Sequence, residues 1–290
     1  MKLTRRTFLA AVGTVASGAP GVVRSAERIP APKASPMKLG MVTYNLGKDW
    51  DVETLIKNCQ AARFEGVELR TTHGHKVEVG LTAAERATVK KRFEDSPVRL
   101  YGLGSAFDYH TPDAAKLRAD IEATKEYIVL ARDVGATGVK VRPNGLPKEV
   151  PVERTLEQIG TALREVARFG ADHGQVIRLE VHGTGTSLLP NIRRILDVAN
   201  HPNLGVCWNS NQTDLDGEGF DANFERVEGR IVEVHLRDLF LEEYPWRRLF
   251  SRLLASGYTG YCLAEIPESR DPVRVMQYFR SLWLAYQGLV

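Results

Sequence analysis

Cysteine is scarce in this sequence of 290 residues, which contains three: Cys59, Cys207 and Cys262. An odd number of cysteines at wide spacing excludes a disulfide framework, and it also excludes a cluster of cysteine ligands around a metal. Free cysteine packs inside proteins as a small apolar residue. We therefore expect all three thiols to lie in the core.

Long apolar runs are also missing. A membrane-spanning helix needs about 20 consecutive apolar residues. The uncharged stretch over residues 10–23 is interrupted by Gly13, Gly18, Pro20 and Gly21. It is too short and too weakly apolar to cross a bilayer, so we expect no stable membrane anchor.

The same stretch belongs to an N-terminal segment that differs from the rest of the chain. Arg5 and Arg6 precede it, and a cationic start before a short apolar run is typical of a secretion signal. The two adjacent arginines resemble the twin-arginine type of signal, which predicts a periplasmic or secreted protein. The alternative is an uncleaved basic tail. Cleavage is predicted near Ala26, with Ala19 as a competing position.

These features divide the chain into three parts. They are a signal peptide over residues 1–26, a Pro/Ala/Lys linker over residues 27–36 and a mature domain over residues 37–290. The signal contains four basic residues and no acids, so its removal changes the formal charge from +3 to −1. Because binding to a nucleic-acid backbone needs a basic surface, nucleic acid is not an expected partner.

Short β-favouring runs alternate with longer amphipathic stretches along the mature domain. The predicted strands are Leu39–Tyr44, Gly66–Arg70, Val98–Leu103, Gly138–Arg142, Val176–His182, Leu204–Trp208, Ile231–Leu236 and Tyr261–Ile266. The predicted helices are Val52–Phe64, Ala83–Asp95, Asp113–Val134, Thr155–His173, Leu189–Asn200, Phe220–Glu228, Pro245–Ser256 and Pro272–Gln287. This alternation indicates βαβ units and a parallel sheet, hence an α/β fold.

A glycine-rich phosphate loop is missing after the first strand. An open doubly wound sheet normally carries the pattern GxGxxG at that point, whereas residues 44–50 contain one glycine, Gly47. Eight strand–helix units in about 250 residues match a closed barrel. The predicted fold is therefore a (β/α)8 TIM barrel.

Polar side chains end several of the predicted strands. The active site of a TIM barrel lies at the carboxyl ends of its strands. A carboxylate, an imidazole or an amide ends each of the last four strands, at Glu180, Asn209, His235 and Glu265. Oxygen and nitrogen donors of this kind suit a divalent cation such as Mn²⁺, Mg²⁺, Co²⁺ or Zn²⁺. We therefore predict a metal site at this end of the barrel.

These four positions resemble the metal site of the xylose isomerase-like barrels. That family includes sugar-phosphate isomerases and epimerases, ketose 3-epimerases, hydroxypyruvate isomerases and inosose dehydratases. The resemblance covers residues ~37–287 and rests on Leu179–His182, Val206–Asn209, Val234–Asp238 and Leu263–Ile266. It implies a metal-dependent isomerase or epimerase of a small sugar, sugar phosphate or sugar acid.

The resemblance also implies roles for individual residues. Glu180 and Glu265 would be ligands as well as the acid–base pair that moves a proton next to a carbonyl, and His235 and Asn209 would be ligands. The residues expected to bind the substrate are His73, His110, Lys140, Arg142, His182 and Arg237.

One position departs from the family pattern. The family usually has an aspartate where this chain has Asn209, so the site holds two carboxylates instead of three. An amide oxygen ligates hard cations but carries no charge. We therefore expect weaker metal binding, offset by His182 or by the histidines at positions 73, 75 and 110.

Several alternatives stay open. Glu180 with Arg178 or Lys140, and Glu265 with Arg142, are alternatively structural ion pairs, and Glu68 is expected to pair with Arg70. The alternative functions are a hydrolase resembling endonuclease IV, a keto-sugar lyase or dehydratase, and a catalytically altered sugar-binding barrel. The partner expected in each sugar-related case is a small-molecule sugar, and a homo-oligomer is left open.

Overall fold

Eight parallel strands close into a barrel in the computed structural model, which describes residues 34–290. The strands are β1 (Lys38–Val42), β2 (Gly66–Arg70), β3 (Arg99–Asp108), β4 (Gly138–Arg142), β5 (Val176–Glu180), β6 (Leu204–Trp208), β7 (Ile231–Leu236) and β8 (Tyr261–Ala264). Each strand pairs with the next, and β8 pairs with β1 to complete the ring. The predicted TIM barrel is confirmed. The predicted signal peptide and most of the predicted linker lie outside the described residues.

A helix follows each strand and packs on the outside of the barrel. The helices are α1 (Val52–Ala62), α2 (Ala83–Glu94), α3 (Ala114–Asp133), α4 (Val152–Asp172), α5 (Leu189–Ala199), α6 (Phe220–Glu225), α7 (Trp246–Ala255) and α8 (Pro272–Tyr286). Within residues 34–290, no helix combines the length and apolar character needed to cross a bilayer. All three cysteines are free and buried, as expected.

Side-chain caps fix where several helices begin. The Asp51 carboxylate accepts from the backbone N–H of Thr54 at the start of α1. Thr82 and Glu85 form a reciprocal capping box at the start of α2, and Asp113 accepts from two backbone N–H groups at the start of α3. Such caps satisfy donors that have no partner within the helix. The loops therefore deliver each helix to the barrel wall at a defined residue.

Strand β3 extends five residues further than the sequence predicts. Its pairing with β4 shifts register between Gly104 and Asp108. An irregularity of this kind bends a strand and turns its later side chains in a new direction. As a result, Asp108 and the residues after it lie at the rim of the barrel, away from its axis.

Charged side chains occupy much of the barrel interior. Branched apolar residues usually fill the inside of a TIM barrel. Here the inward positions of β2, β4, β5 and β7 carry buried charged side chains, namely Glu68, Lys140, Arg178, Glu180, Glu233 and His235. Glycines leave room for them, because a Cβ on Gly102 would overlap Arg178 and one on Gly104 would overlap Glu68.

Candidate metal and active site

A cavity of about 330 Å³, here called the central cavity, lies at the carboxyl ends of the strands. Its lining comes from the ends of seven strands and the loops after them. The lining residues are Val42, Tyr44, Asn45, Arg70, Lys140, Arg142, Glu180, His182, Asn209, Asn211, Arg237 and Glu265. Most of the predicted site residues are therefore brought to one place, as the barrel topology requires.

Three predicted ligand atoms converge at the base of this cavity. The Nδ1 atom of His235 lies 3.8 Å from Glu180 Oε1 and 3.7 Å from Glu265 Oε2. All three donor atoms lie within 4.8 Å of one another. His235 is buried, and neither ring nitrogen has a hydrogen-bond partner among the described residues.

This donor set fits a divalent cation. Metal–ligand bonds of about 2.0–2.3 Å place adjacent ligand atoms about 3–4 Å apart, which matches the observed separations. A buried imidazole nitrogen without a partner is destabilising unless a ligand satisfies it. The residues that would hold the cation are Glu180, His235 and Glu265.

Asn209 is placed where the sequence predicts it. It is buried, follows directly after β6 and lines the central cavity. The next residue, Ser210, has a positive φ of 47°, and its hydroxyl donates to the backbone carbonyl of His235 over 2.8 Å. This turn ties the end of β6 to β7. Asn209 therefore lines the same cavity as Glu180 and Glu265, and its amide oxygen is the candidate for a neutral fourth ligand.

A buried ion pair holds one of the two glutamates. The Lys140 ammonium donates to Glu180 Oε2 over 2.6 Å, while the other carboxylate oxygen faces His235. The structural pairing of Glu180 with Lys140, left open by the sequence, is thus present together with the metal-like arrangement. No corresponding pair between Glu265 and Arg142 lies within 4.0 Å in the part of the chain that the structure describes.

The two glutamates differ in acidity. Burial alone would raise the pKa of Glu180, but the nearby cations Lys140 and His235 outweigh it and lower the pKa below its usual value. Burial raises the pKa of Glu265, and His235 offsets this only in part. Opposite shifts of this kind are typical of paired carboxylates with separate acid and base roles.

An interior cluster of Glu68, Arg178 and Glu233 lies beneath His235. The Nε2 atom of His235 is 3.8 Å from Glu68 Oε1 and 3.9 Å from Glu233 Oε2. Arg178 packs on the ring of Tyr101 and lies 3.9 Å from Glu233. The expected pairing of Glu68 with Arg70 is wrong, because Glu68 points into the barrel whereas Arg70 lines the central cavity.

Glu233 and Arg178 were not predicted to form this cluster, since Arg178 was expected only as an alternative partner of Glu180. Each precedes a predicted ligand by two positions on the same strand, so each shares the inward face of that ligand. Burial and the neighbouring Glu68 raise the pKa of Glu233 to about 7. Burial opposes ionisation of Glu68 too, but His235 outweighs it and lowers the pKa of Glu68. Glu68 faces Nε2 of His235, and Nδ1 of the same ring faces Glu180 and Glu265.

The predicted substrate-binding histidines fall in three different places. His182 lines the central cavity, and its Nδ1 is 3.0 Å from Asn144 Oδ1. His73 stacks on Tyr44 beside the cavity, and burial lowers its pKa to about 4. His110 pairs with Asp108 over 3.0 Å and lines a separate cavity of about 450 Å³, because the extended β3 carries it to the rim.

Comparisons with known proteins agree with this architecture. The family model described as "Xylose isomerase-like TIM barrel" matches residues 56–282. No curated protein matches the sequence. Among solved structures, an L-ribulose 3-epimerase shares 16% identity with a TM-score of 0.74, covering 87% of this chain and 95% of that one. The Escherichia coli 3-keto-D-glucoside 4-epimerase YcjR shares 14% identity with a TM-score of 0.71, covering 86% and 99%.

One further solved structure is similar to this chain and contains a metal. The IolI protein with a bound zinc atom shares 15% identity with a TM-score of 0.74, and the match covers 87% of this chain and 98% of that one. At such identities the likeness establishes a shared fold, whereas function depends on the residues of the site.

Proposed function

The chain belongs to the xylose isomerase-like TIM-barrel family, and from that premise we propose that it is a divalent-metal-dependent isomerase or epimerase of a small sugar. The observation that carries the proposal is the convergence of Glu180, His235 and Glu265 at the base of the central cavity. The sugar epimerases among the similar structures support it.

The reaction class follows from what these groups do together. A bound divalent cation acts as a Lewis acid that polarises a carbonyl oxygen. In the proposed mechanism, the ionised Glu180 carboxylate removes the proton from the carbon next to the carbonyl, and Glu265 returns a proton to the intermediate. A carboxylate placed for proton transfer contributes about 10²–10⁴-fold to the rate.

Neighbouring residues prepare the two carboxylates for these roles. Lys140 occupies one oxygen of Glu180 and leaves the other facing His235, so the carboxylate has one defined orientation. Glu68 supports His235 from below. Asn209 contributes an oxygen without adding charge, so the cation would retain more positive charge than it would beside three carboxylates.

Solvent deuterium exchange tests the proposal. The Mn²⁺-loaded protein is incubated in D₂O with D-fructose, D-tagatose, L-ribulose and their phosphates, and proton NMR follows the carbons next to the carbonyl. We expect deuterium to enter at one such carbon in at least one sugar. The variant Glu265→Gln should slow that exchange by about 10²-fold or more.

A rim glutamate provides the matched control for this variant. Glu268 is exposed, pairs with Lys48 and does not line the central cavity. Glu268→Gln should therefore exchange at the rate of the unchanged protein. If the metal-loaded protein produced no exchange with any of these sugars, or if both variants exchanged equally, the proposed chemistry would be wrong.

Elimination is the second candidate, because it begins with the same proton abstraction. A keto-sugar lyase or dehydratase would use Glu180 in the same way and then release a leaving group instead of returning the proton. Loss of the sugar's proton signals together with the signals of a dicarbonyl product, formed when the eliminated enol takes its keto form, would identify it in the same NMR experiment. The hydrolase alternative resembling endonuclease IV is disfavoured, since His110, one of the histidines it would use, lines a separate cavity.

A further inference from the structure

Three arginines line the central cavity at the ends of different strands. Arg70 ends β2, Arg142 ends β4 and Arg237 follows β7. Each guanidinium donates one hydrogen bond to a backbone carbonyl, and the acceptors are those of Thr71, Ala106 and Ser210 at 3.0, 3.2 and 2.8 Å respectively. These single bonds hold the groups at the cavity wall and leave most of their N–H donors free for a ligand. We call them the arginine triad.

No member of the triad has an acidic partner. Within residues 34–290, no carboxylate oxygen lies within 4.0 Å of these three guanidinium groups. Nε of Arg142 and Nη2 of Arg237 are buried and lack any hydrogen-bond partner among the described residues. Surface arginines of the same chain behave differently, since Arg248 forms two hydrogen bonds to the carboxylate of Asp221.

The charge of the cavity lining is therefore unbalanced. Four cationic side chains line it, the triad and Lys140, against two carboxylates. The divalent cation of the proposed function would add two more positive charges. Uncompensated charge in a partly buried cleft is unfavourable and attracts a counter-charge from solution. A neutral sugar supplies none, whereas an anionic sugar does.

We propose that the arginine triad binds an anionic group of the substrate, so that the sugar is a sugar phosphate or a sugar acid. The proposal rests on the proposed function for the sugar itself, whereas the anion site depends on the arginines alone. The planar guanidinium fork matches the geometry of both carboxylate and phosphate. Tyr44, whose ring lies 5.8 Å from the Arg70 guanidinium, supports that side chain at the mouth of the cavity.

Calorimetric titration tests the proposal with three probes that share one sugar size. D-Fructose is neutral, D-fructose 6-phosphate carries a phosphate and D-gluconate carries a carboxylate. We expect at least one anionic probe to bind about tenfold or more tightly than D-fructose, because each charge-assisted hydrogen bond strengthens binding by roughly that factor or more. The phosphate and carboxylate arms decide which group the triad accepts. The preference should persist after the metal is chelated and the chelator dialysed away.

Single substitutions locate the anion site. Arg142→Gln and Arg237→Gln should each weaken the anionic probe about tenfold, and by clearly more than they weaken D-fructose. Arg142→Lys serves as a second variant, which keeps the charge but loses the fork. Arg280→Gln on α8, partly buried and outside the cavity lining, is the control and should leave both affinities unchanged. Thermal melting confirms that each variant is folded.

Two results would overturn the proposal: equal binding of neutral and anionic probes, or an anion preference that survives in every triad variant. These results are independent of the deuterium exchange. Anion binding without exchange would refute the isomerase and keep the anion site. Exchange on neutral sugars without anion preference would keep the isomerase and refute the anion site.

Discussion

Among single residues, Asp214 is a buried acid in the short turn of helix that follows β6. Its carboxyl is buried, and Oδ2 accepts from the Tyr244 hydroxyl over 2.6 Å. Its Oδ1 is buried without a partner among the described residues. Burial raises the pKa of Asp214 to about 7, and the hydrogen bond from Tyr244 opposes this only in part.

This raised pKa makes the stability of the protein depend on pH. The folded-state pKa of Asp214 lies above the unfolded value near 3.8. The stability linked to this group is therefore fully present below the unfolded pKa and is lost as pH rises toward about 7. Between about pH 5 and about pH 8 the linked loss is about 2–3 kcal/mol.

The substitution Asp214→Asn tests this linkage, because asparagine does not titrate and its carbonyl can still accept from Tyr244. The unchanged protein should lose about 2–3 kcal/mol of unfolding free energy between about pH 5 and about pH 8 that the variant does not lose. Urea unfolding at several pH values measures it, with the exposed Asp172→Asn as control. Parallel profiles for all three proteins would show that Asp214 is ionised throughout.

At the scale of the elements, glycines in the strands make the charged interior possible. Gly138 begins β4, and a Cβ added there would overlap the backbone carbonyl of Val176 on β5 and crowd the guanidinium of Arg178. A backbone carbonyl in the ladder cannot move without disturbing the pairing of the two strands. Substitution at Gly138 should therefore strain the sheet and the interior cluster together.

We expect Gly138→Ala to lower the unfolding free energy by about 1–3 kcal/mol, the usual effect of adding a methyl group to a closely packed site. Gly80→Ala is the matched control, since a Cβ at that position meets no atom within 4 Å. Denaturant unfolding of both variants measures the difference. Equal stability of the two variants would contradict this prediction, because it would show that β4 and β5 can move apart at Gly138 without loss of stability.

The elements themselves were largely predictable from the sequence, whereas the depth of the site was not. Predicted and observed bounds of α5 agree within one residue, because its buried face recurs with helical period between a loop and a left-handed Asn200. Strand β3 was underestimated, since its register shift depends on pairing with β4. Periodicity also identifies the inward face of β5, yet it does not separate Arg178, below the site, from Glu180 within it.

The misplaced predictions have the same physical origin. His110 belongs to a polar loop after a strand, which predicts a place near the active site. Its actual position is set by the course of β3 and by its partner Asp108. Glu68 and Arg70 share a strand face, but successive inward side chains point to different depths of the barrel. The positions of these side chains therefore depend on contacts between strands, which the alternation of residues along one strand does not reveal.

At the scale of the whole molecule, metal binding and folding should be linked. The proposed ligands lie on β5 and β7 and directly after β6 and β8, so the complete donor set exists only when half of the barrel is closed. A ligand that binds only the folded state stabilises it by RT ln(1 + [L]/Kd), about 2.7 kcal/mol at a hundredfold excess over Kd. We therefore expect Mn²⁺ to raise the unfolding free energy of the whole domain.

The size of that increase should follow the charge of the donor set. At a fixed Mn²⁺ concentration, the metal should raise the unfolding free energy of Asn209→Asp more than that of the unchanged protein. The reason is that a third carboxylate tightens metal binding about tenfold, equivalent to about 1.4 kcal/mol. Glu265→Gln should gain less, and Gln212→Glu, an added charge on the exposed loop after β6, should match the unchanged protein. Denaturant unfolding across a metal series measures all four. If their metal dependence were the same, the cation would bind elsewhere, since only a site built from these strands connects the identity of residue 209 to the stability of the entire barrel.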